Sequence, residues 1–128
     1  MPQLVIKIVD RGTDHINQKT GESKPSKTGH MWFELIDDND NVTSHGFAPK
    51  PGYEGKPFAP GFKYDNDNIS YNFDENNGDY QRSFEINQSQ FETLKNFAAD
   101  PDAPEFGFNM NYNGIKNSCS FFTTQSIF

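Results

Sequence analysis

Residues 31–47 constrain the fold more than any other part of the chain. Met31 to Ile36 alternate large apolar side chains around Glu34; Asp37-Asp38-Asn39-Asp40-Asn41 follows, and Val42 opens a second run that ends at Phe47. Runs rich in aromatic and β-branched residues extend as strands, and Asp and Asn between two such runs favour a reversal. The pattern predicts an antiparallel hairpin with strands over 31–36 and 42–47. His30 lies just after Gly29 at the open end of the first strand, and His45 lies on the returning strand near the same end. The two imidazoles are expected to be neighbours.

The remaining chain supplies partners for that hairpin. Leu4, Val5, Ile6, Ile8 and Val9 predict a core strand over 4–9, ended by Asp10-Arg11-Gly12. Residues 13–29 are polar and bury no face, which predicts a mobile surface loop with His15 solvated in it. The Pro- and Gly-rich stretch 48–61 resists helix and is expected to wrap the surface in extended form, with its aromatic rings tucked in. Short strands are predicted over 62–64, 69–73 and 80–86. Asn87 followed by Gln90 forms a capping box, and Phe91, Leu94, Phe97 and Ala98 then share one helical face, so a helix is predicted from Gln88 to Ala99. Pro101 and Pro104 stop it. The turn-prone run 111–118 then delivers Cys119 to the first turn of an aromatic-rich helix. The expected class is α+β.

Length and charge narrow the functions open to such a chain. At 128 residues it is one domain. Hydrophobic content is 33%, but 13 Phe and 5 Tyr give each buried side chain a large area, so a small aromatic core is expected. A net charge of -7 with no basic stripe argues against a nucleic-acid groove or an anionic-membrane surface. The apolar run at the N-terminus is broken by Lys7, Asp10 and Arg11, too soon for a signal sequence or a membrane span. Asp/Asn runs invite calcium, yet Val42 stands where the calcium loop of an EF-hand requires Gly, and Ala48 where it requires Glu. No Gly-rich phosphate loop or Cys/His zinc pattern is present, and no cofactor or metal is expected.

Cys119 is the only cysteine, so it forms no intrachain disulfide. At a helix start, unpaired backbone N–H groups lower a thiol's pKa and favour the nucleophilic thiolate. The rival reading is a buried cysteine acting as a small hydrophobe. A cysteine hydrolase needs a thiolate, an imidazole to shuttle protons, and a third group that orients the ring. Cys119 is the candidate nucleophile, His30 the base and His45 the orienting group, with Ser44 as an alternative for the last role. Backbone N–H groups at the helix start, that of Cys119 included, are candidate oxyanion donors, as is the Asn113 side chain.

Ser118-Cys119-Ser120-Phe121-Phe122 resembles the helix start of NlpC-like peptidoglycan hydrolases in the papain-like superfamily, and His30 and His45 look like their histidine hairpin. Histidine precedes cysteine, as in the circularly permuted branch of that superfamily. Gly29-His30-Met31-Trp32, Ser44-His45-Gly46-Phe47 and the 112–119 stretch are also similar to bacterial effectors delivered by type VI secretion. The resemblance implies a single permuted papain-like domain over 1–128, an antiparallel sheet whose histidine hairpin packs on a helix starting at the cysteine. It implies cleavage of an amide bond in peptidoglycan stem peptides, or another peptide amide, through an acyl-enzyme, with Asn113 and Trp32 contacting substrate. It further implies an antibacterial toxin made in the cytoplasm without a signal peptide, acting in a target cell's periplasm and countered by an immunity protein. The chain ends nine residues after Cys119, with Phe121, Phe122, Ile127 and Phe128 apolar, so the helix is expected to be cut short and covered by a remaining C-terminal portion or a partner. The alternative function is a non-catalytic acidic, aromatic-rich binding, adaptor or immunity module of a toxin system.

Overall fold

The computed structural model of the chain describes all residues except 27–28, 54–55, 114–116, 121 and 124–128, and of Asn77 the backbone only. Strand β1 (Gln3–Val9) pairs antiparallel with β4 (His30–Ile36), running from Gln3↔Ile36 to Val9↔His30. Strand β5 (Val42–Pro49) returns from β4 through the predicted turn, in which Asp37 Oδ1 accepts the N–H groups of Asn39 and Asn41 at 2.8 and 2.9 Å. Strands β6 (Phe58–Tyr64), β7 (Tyr80–Glu85) and β8 (Asn111–Asn113) complete a six-stranded sheet in the order β7-β1-β4-β5-β6-β8. The protein is α+β, with antiparallel strand pairing and few helices. Among the described residues no helix is long and apolar enough to cross a membrane.

Three stretches differ from expectation; in the first, residues 58–61 belong to β6, and the rings of Tyr53, Phe58 and Phe62 are exposed rather than tucked in. Residues 13–29 contain a second antiparallel pair, β2 (Asp14–Ile16) with β3 (Ser23–Pro25), fastened at its base where Gly12 N–H donates to Ser26 O at 2.7 Å. Three-residue polar strands carry no alternating apolar signal, so nothing local announces them. The predicted strand over 69–73 is absent; a short helix α1 (Asp67–Ser70) stands there, and Tyr71 forms a single bridge with His15.

Helix α2 (Gln88–Ala99) has the predicted bounds. Its capping box is formed, with Asn87 Oδ1 accepting Gln90 N–H at 2.8 Å and Gln90 Oε1 accepting Asn87 N–H at 2.9 Å. Phe91, Leu94, Phe97 and Ala98 bury against Leu4, Phe33, Leu35 and Phe47 on one face of the sheet. Phe122 is fully buried at the centre of this core, its ring 5.1 to 6.0 Å from those of Phe33, Phe47, Phe97 and Phe108. Fully burying a side chain of this kind contributes about 1.5–3 kcal/mol. That anchor fixes the segment carrying Cys119. The expectation of a truncated, apolar end falls at Phe121, Ile127 and Phe128, outside the described residues.

Strand pleating decides what each histidine meets. Successive side chains point to opposite faces, and cross-strand partners share a face. Phe33, Leu35 and Phe47 face the core, and His45 pairs with Phe33. His30, Trp32 and Glu34 lie on the other face, with Ser44 and Gly46. The expected neighbourhood of His30 and His45 is therefore not formed, because their positions have opposite parity in this register.

Candidate active site

His30 opens β4 and is 7% exposed. It is reached through Gly29, whose φ of 78° suits glycine and where a Cβ would lie 2.6 Å from Val9 O. Beside it on the same face, Trp32 donates its indole N–H to Glu34 Oε2 at 2.8 Å, and Lys7 Nζ lies 3.2 Å from that oxygen. These contacts satisfy a buried carboxylate that would otherwise be costly.

Asp67 is the first residue of α1 and is 3% exposed. The helix is tied to β5 because Ser44 Oγ accepts the N–H of Asn68 at 3.3 Å. Asp67 Oδ2 then lies 2.8 Å from His30 Nε2. Gly46 on β5 makes this approach possible: a Cβ there would stand 1.7 Å from Asp67 Oδ2 and 3.3 Å from His30 Nε2.

Cys119 begins a helical turn in which Phe122 N–H donates to Ser118 O at 3.0 Å. The turn docks on β4 beyond its pairing with β5, where Thr123 Oγ1 donates to Met31 O at 3.5 Å. The Cys119 thiol and the His30 ring interact, the ring lowering the thiol's pKa and the thiol raising the ring's. Since Nε2 is engaged by Asp67, this contact falls to Nδ1. The result is an uninterrupted line of thiol, imidazole and carboxylate.

Electrostatics set its protonation. Burial opposes charge on His30, but the Asp67 carboxylate and its hydrogen bond, together with Cys119, outweigh that and raise the ring's pKa to about 10. Burial pushes the Cys119 thiol up, yet the bond to His30, the ring's charge, a backbone bond from Met31 and the Ser120 hydroxyl lower it on balance. Both shifts favour a thiolate beside an imidazolium. The ring then donates N–H to both neighbours.

His45 is excluded from this line. Its ring is 5.2 Å from that of Phe33, and its Nε2 lies 2.9 Å from Thr43 Oγ1. Burial and the nearby Lys63 lower its pKa to about 4, so it is neutral near pH 7. The unfolded chain takes up that proton first; relative to neutral pH, His45 therefore costs stability as pH falls from about 6.5 through about 4. His45→Gln is expected to leave Cys119 reactivity unchanged and to flatten the urea-midpoint profile between pH 6.5 and 5. A loss of thiol reactivity in that variant would restore His45 to the site. Ser44 shares the face of His30, but its hydroxyl serves α1.

Trp32 is fully buried and bonded to Glu34, so it presents no surface to a substrate in this conformation. Asn113 lies on β8, pairs with Asn117 through two backbone hydrogen bonds of 3.1 and 2.8 Å, and lines an open groove of about 640 Å³. Of its lining, Phe58, Pro60, Asn111 and Asn113 share the sheet face of Gly46 and His30, whereas Ala59 and Tyr112 lie on the core face. The charged line is not part of the groove lining. Tyr112 connects the two: it lines the groove, and its phenol is pushed up by burial and by the charge of Cys119. Asn117, two residues before the cysteine, donates through Nδ2 to Asn109 O and Asn111 O, while its buried Oδ1 has no partner among the described residues.

Sequence reasoning missed Asp67, Gly46 and Tyr71. Asp67 sits inside Asp65-Asn66-Asp67-Asn68, indistinguishable from a turn former. Gly46 did carry a signal, since glycine inside a strand marks a close approach. Among the described residues, no three His, Cys, Asp or Glu side chains group as metal ligands would. No protein family, curated protein or solved structure matches the chain.

Proposed function

We propose that this chain is a cysteine-dependent amide hydrolase in which Cys119 is the nucleophile, His30 the acid and base, and Asp67 the orienting carboxylate. The observation that carries this reading is the 2.8 Å bond from His30 Nε2 to a buried carboxylate, with the Cys119 thiol interacting with the same ring. A merely packed cysteine needs no charged imidazole, and a structural imidazole needs no thiol.

The reaction follows from the resting ion pair. The Cys119 thiolate attacks the amide carbonyl carbon, forming a C–S bond and a tetrahedral oxyanion. The Cys119 backbone N–H is a candidate donor to that oxygen. His30 gives its Nδ1 proton to the leaving nitrogen as the C–N bond breaks, leaving a thioester and a neutral ring. Neutral His30 then takes a proton from water, whose oxygen attacks the thioester; the C–S bond breaks and the thiolate and imidazolium are restored. Asp67 stays ionised throughout and holds the ring.

The resemblance of the histidine and cysteine motifs to permuted NlpC-like enzymes supports a papain-like architecture and a stem-peptide amide of peptidoglycan as substrate. The groove beside Tyr112 is a place for an extended peptide. The same resemblance supports an antibacterial effector acting in a target periplasm, with an immunity protein as partner. Iodoacetamide labelling tests the reading: the folded chain at pH 6 is expected to alkylate at Cys119 faster than the urea-unfolded chain, because the fold lowers the thiol's pKa. Equal rates would leave the non-catalytic binding or adaptor module as the better account.

A further inference from the structure

Helix α1 delivers more than a carboxylate. Tyr71 is the extended residue that ends α1, and its N–H donates to Asp67 O at 3.2 Å. The Tyr71 ring lies 4.7 Å from the His30 ring at an interplanar angle of 16°, and 5.4 Å from the Trp32 ring at 21°. The His15 ring of β2 also meets it, with ring centroids 4.8 Å apart. The β2–β3 pair is fastened to this segment by the His15 to Tyr71 bridge, by Asn72 N–H donating to Asp14 O at 3.3 Å, and by Gln18 Nε2 donating to Ile69 O at 3.4 Å. A surface hairpin thus clasps the outer wall of the His30 pocket.

We propose that Tyr71, held in place by His15 and the β2–β3 hairpin, is a positioning residue that stabilises the His30 imidazolium and closes the His30–Asp67 bond to water. The inference rests on the hydrolase reading above. Two physical effects carry it. A cation is attracted to the face of an aromatic ring, the more so when desolvated. Excluding water also keeps the local dielectric low, which strengthens the attraction between His30 and Asp67. The titratable groups around Tyr71 are Asp67, His30, Cys119, Tyr112, Tyr64 and His15. Burial, then Asp67 and Cys119, push the Tyr71 phenol up, so it brings no negative charge of its own.

The test is the pH midpoint of Cys119 alkylation by iodoacetamide, measured on the intact chain with thermal stability alongside. Tyr71→Phe keeps the ring and is expected to keep the wild-type midpoint. Tyr71→Leu removes it and is expected to raise the midpoint by about one pH unit, roughly a tenfold loss of thiolate on the acid side. His15→Ala is expected to move it the same way by less. A purely structural role lowers the melting temperature without moving the midpoint. A folded Tyr71→Leu chain with the wild-type midpoint, or Tyr71→Phe shifting as far as Tyr71→Leu, overturns the inference. If Tyr71→Leu does not fold, His15→Ala decides, and an unchanged midpoint there overturns it. A wild-type midpoint like that of a free thiol sinks the hydrolase reading as well, whereas a depressed midpoint indifferent to these changes sinks only the clasp.

Discussion

Cys119→Ala is expected to abolish release of stem-peptide fragments from peptidoglycan, and Asp67→Asn to slow it by about 10³- to 10⁴-fold with the fold retained. The carboxylate holds the ring through Nε2–H and stabilises its positive charge; a neutral amide offers neither the charge nor a fixed tautomer. The same substitution changes the pH response. Because His30 titrates near 10 in the fold and near 6.5 when unfolded, it contributes stability that is complete below about pH 6.5 and is lost as pH rises through about 10. Cys119 has the opposite sign: its lowered pKa contributes above the ordinary value of 9.0 and that contribution is lost as pH falls through the lowered value. In urea titrations, Asp67→Asn is expected to weaken the decline in stability between pH 7 and 10. In alkylation, it is expected to move the thiol midpoint upward. Full activity in Asp67→Asn would remove Asp67 from the mechanism.

Gly46→Ala is expected to disable the site nearly as thoroughly, through one methyl group on a strand that never touches the thiol. Its Cβ would meet Asp67 Oδ2 at 1.7 Å and Asp67 Cγ at 2.9 Å. The carboxylate cannot swing aside cheaply, because it is buried, bonded to His30, and carried on a helix pinned to β5 through Ser44 and Asn68. Relief requires α1 to move, and the His30–Asp67 bond is lost with it. Overpacking of this kind costs about 1–3 kcal/mol. The expected result is a lowered melting temperature, a raised alkylation midpoint and a loss of amide cleavage of the order expected for Asp67→Asn. Wild-type alkylation in Gly46→Ala would show that the carboxylate is not needed to charge the ring.

These two sites mark where sequence reading stopped. Phe91, Leu94, Phe97 and Ala98 are spaced to share a helical face, and the Asn87 and Gln90 side chains cap that helix whatever it packs against. The β4–β5 hairpin is equally local, since its turn is written in Asp37 and the residues that follow it. Position within a face was not local. His30 and His45 look adjacent in a hairpin drawn flat, but the register Phe33↔His45 gives them opposite sides of the sheet. A shift of one residue would have reversed that outcome.

By itself, then, the sequence determined the hairpin, the capped helix and the aromatic core, and it marked a lone thiol and a histidine at a strand's start as candidate partners. Each follows from side-chain period, from a capping residue or from the chemistry a residue type permits. Only the tertiary structure brought a carboxylate to His30. Asp67 is 37 residues from His30 in the chain, and its role depends on a short helix pinned to β5, on a glycine that leaves room, and on a ring clasped from outside by a polar hairpin. Those are facts of distance between remote segments, and local pattern does not encode them.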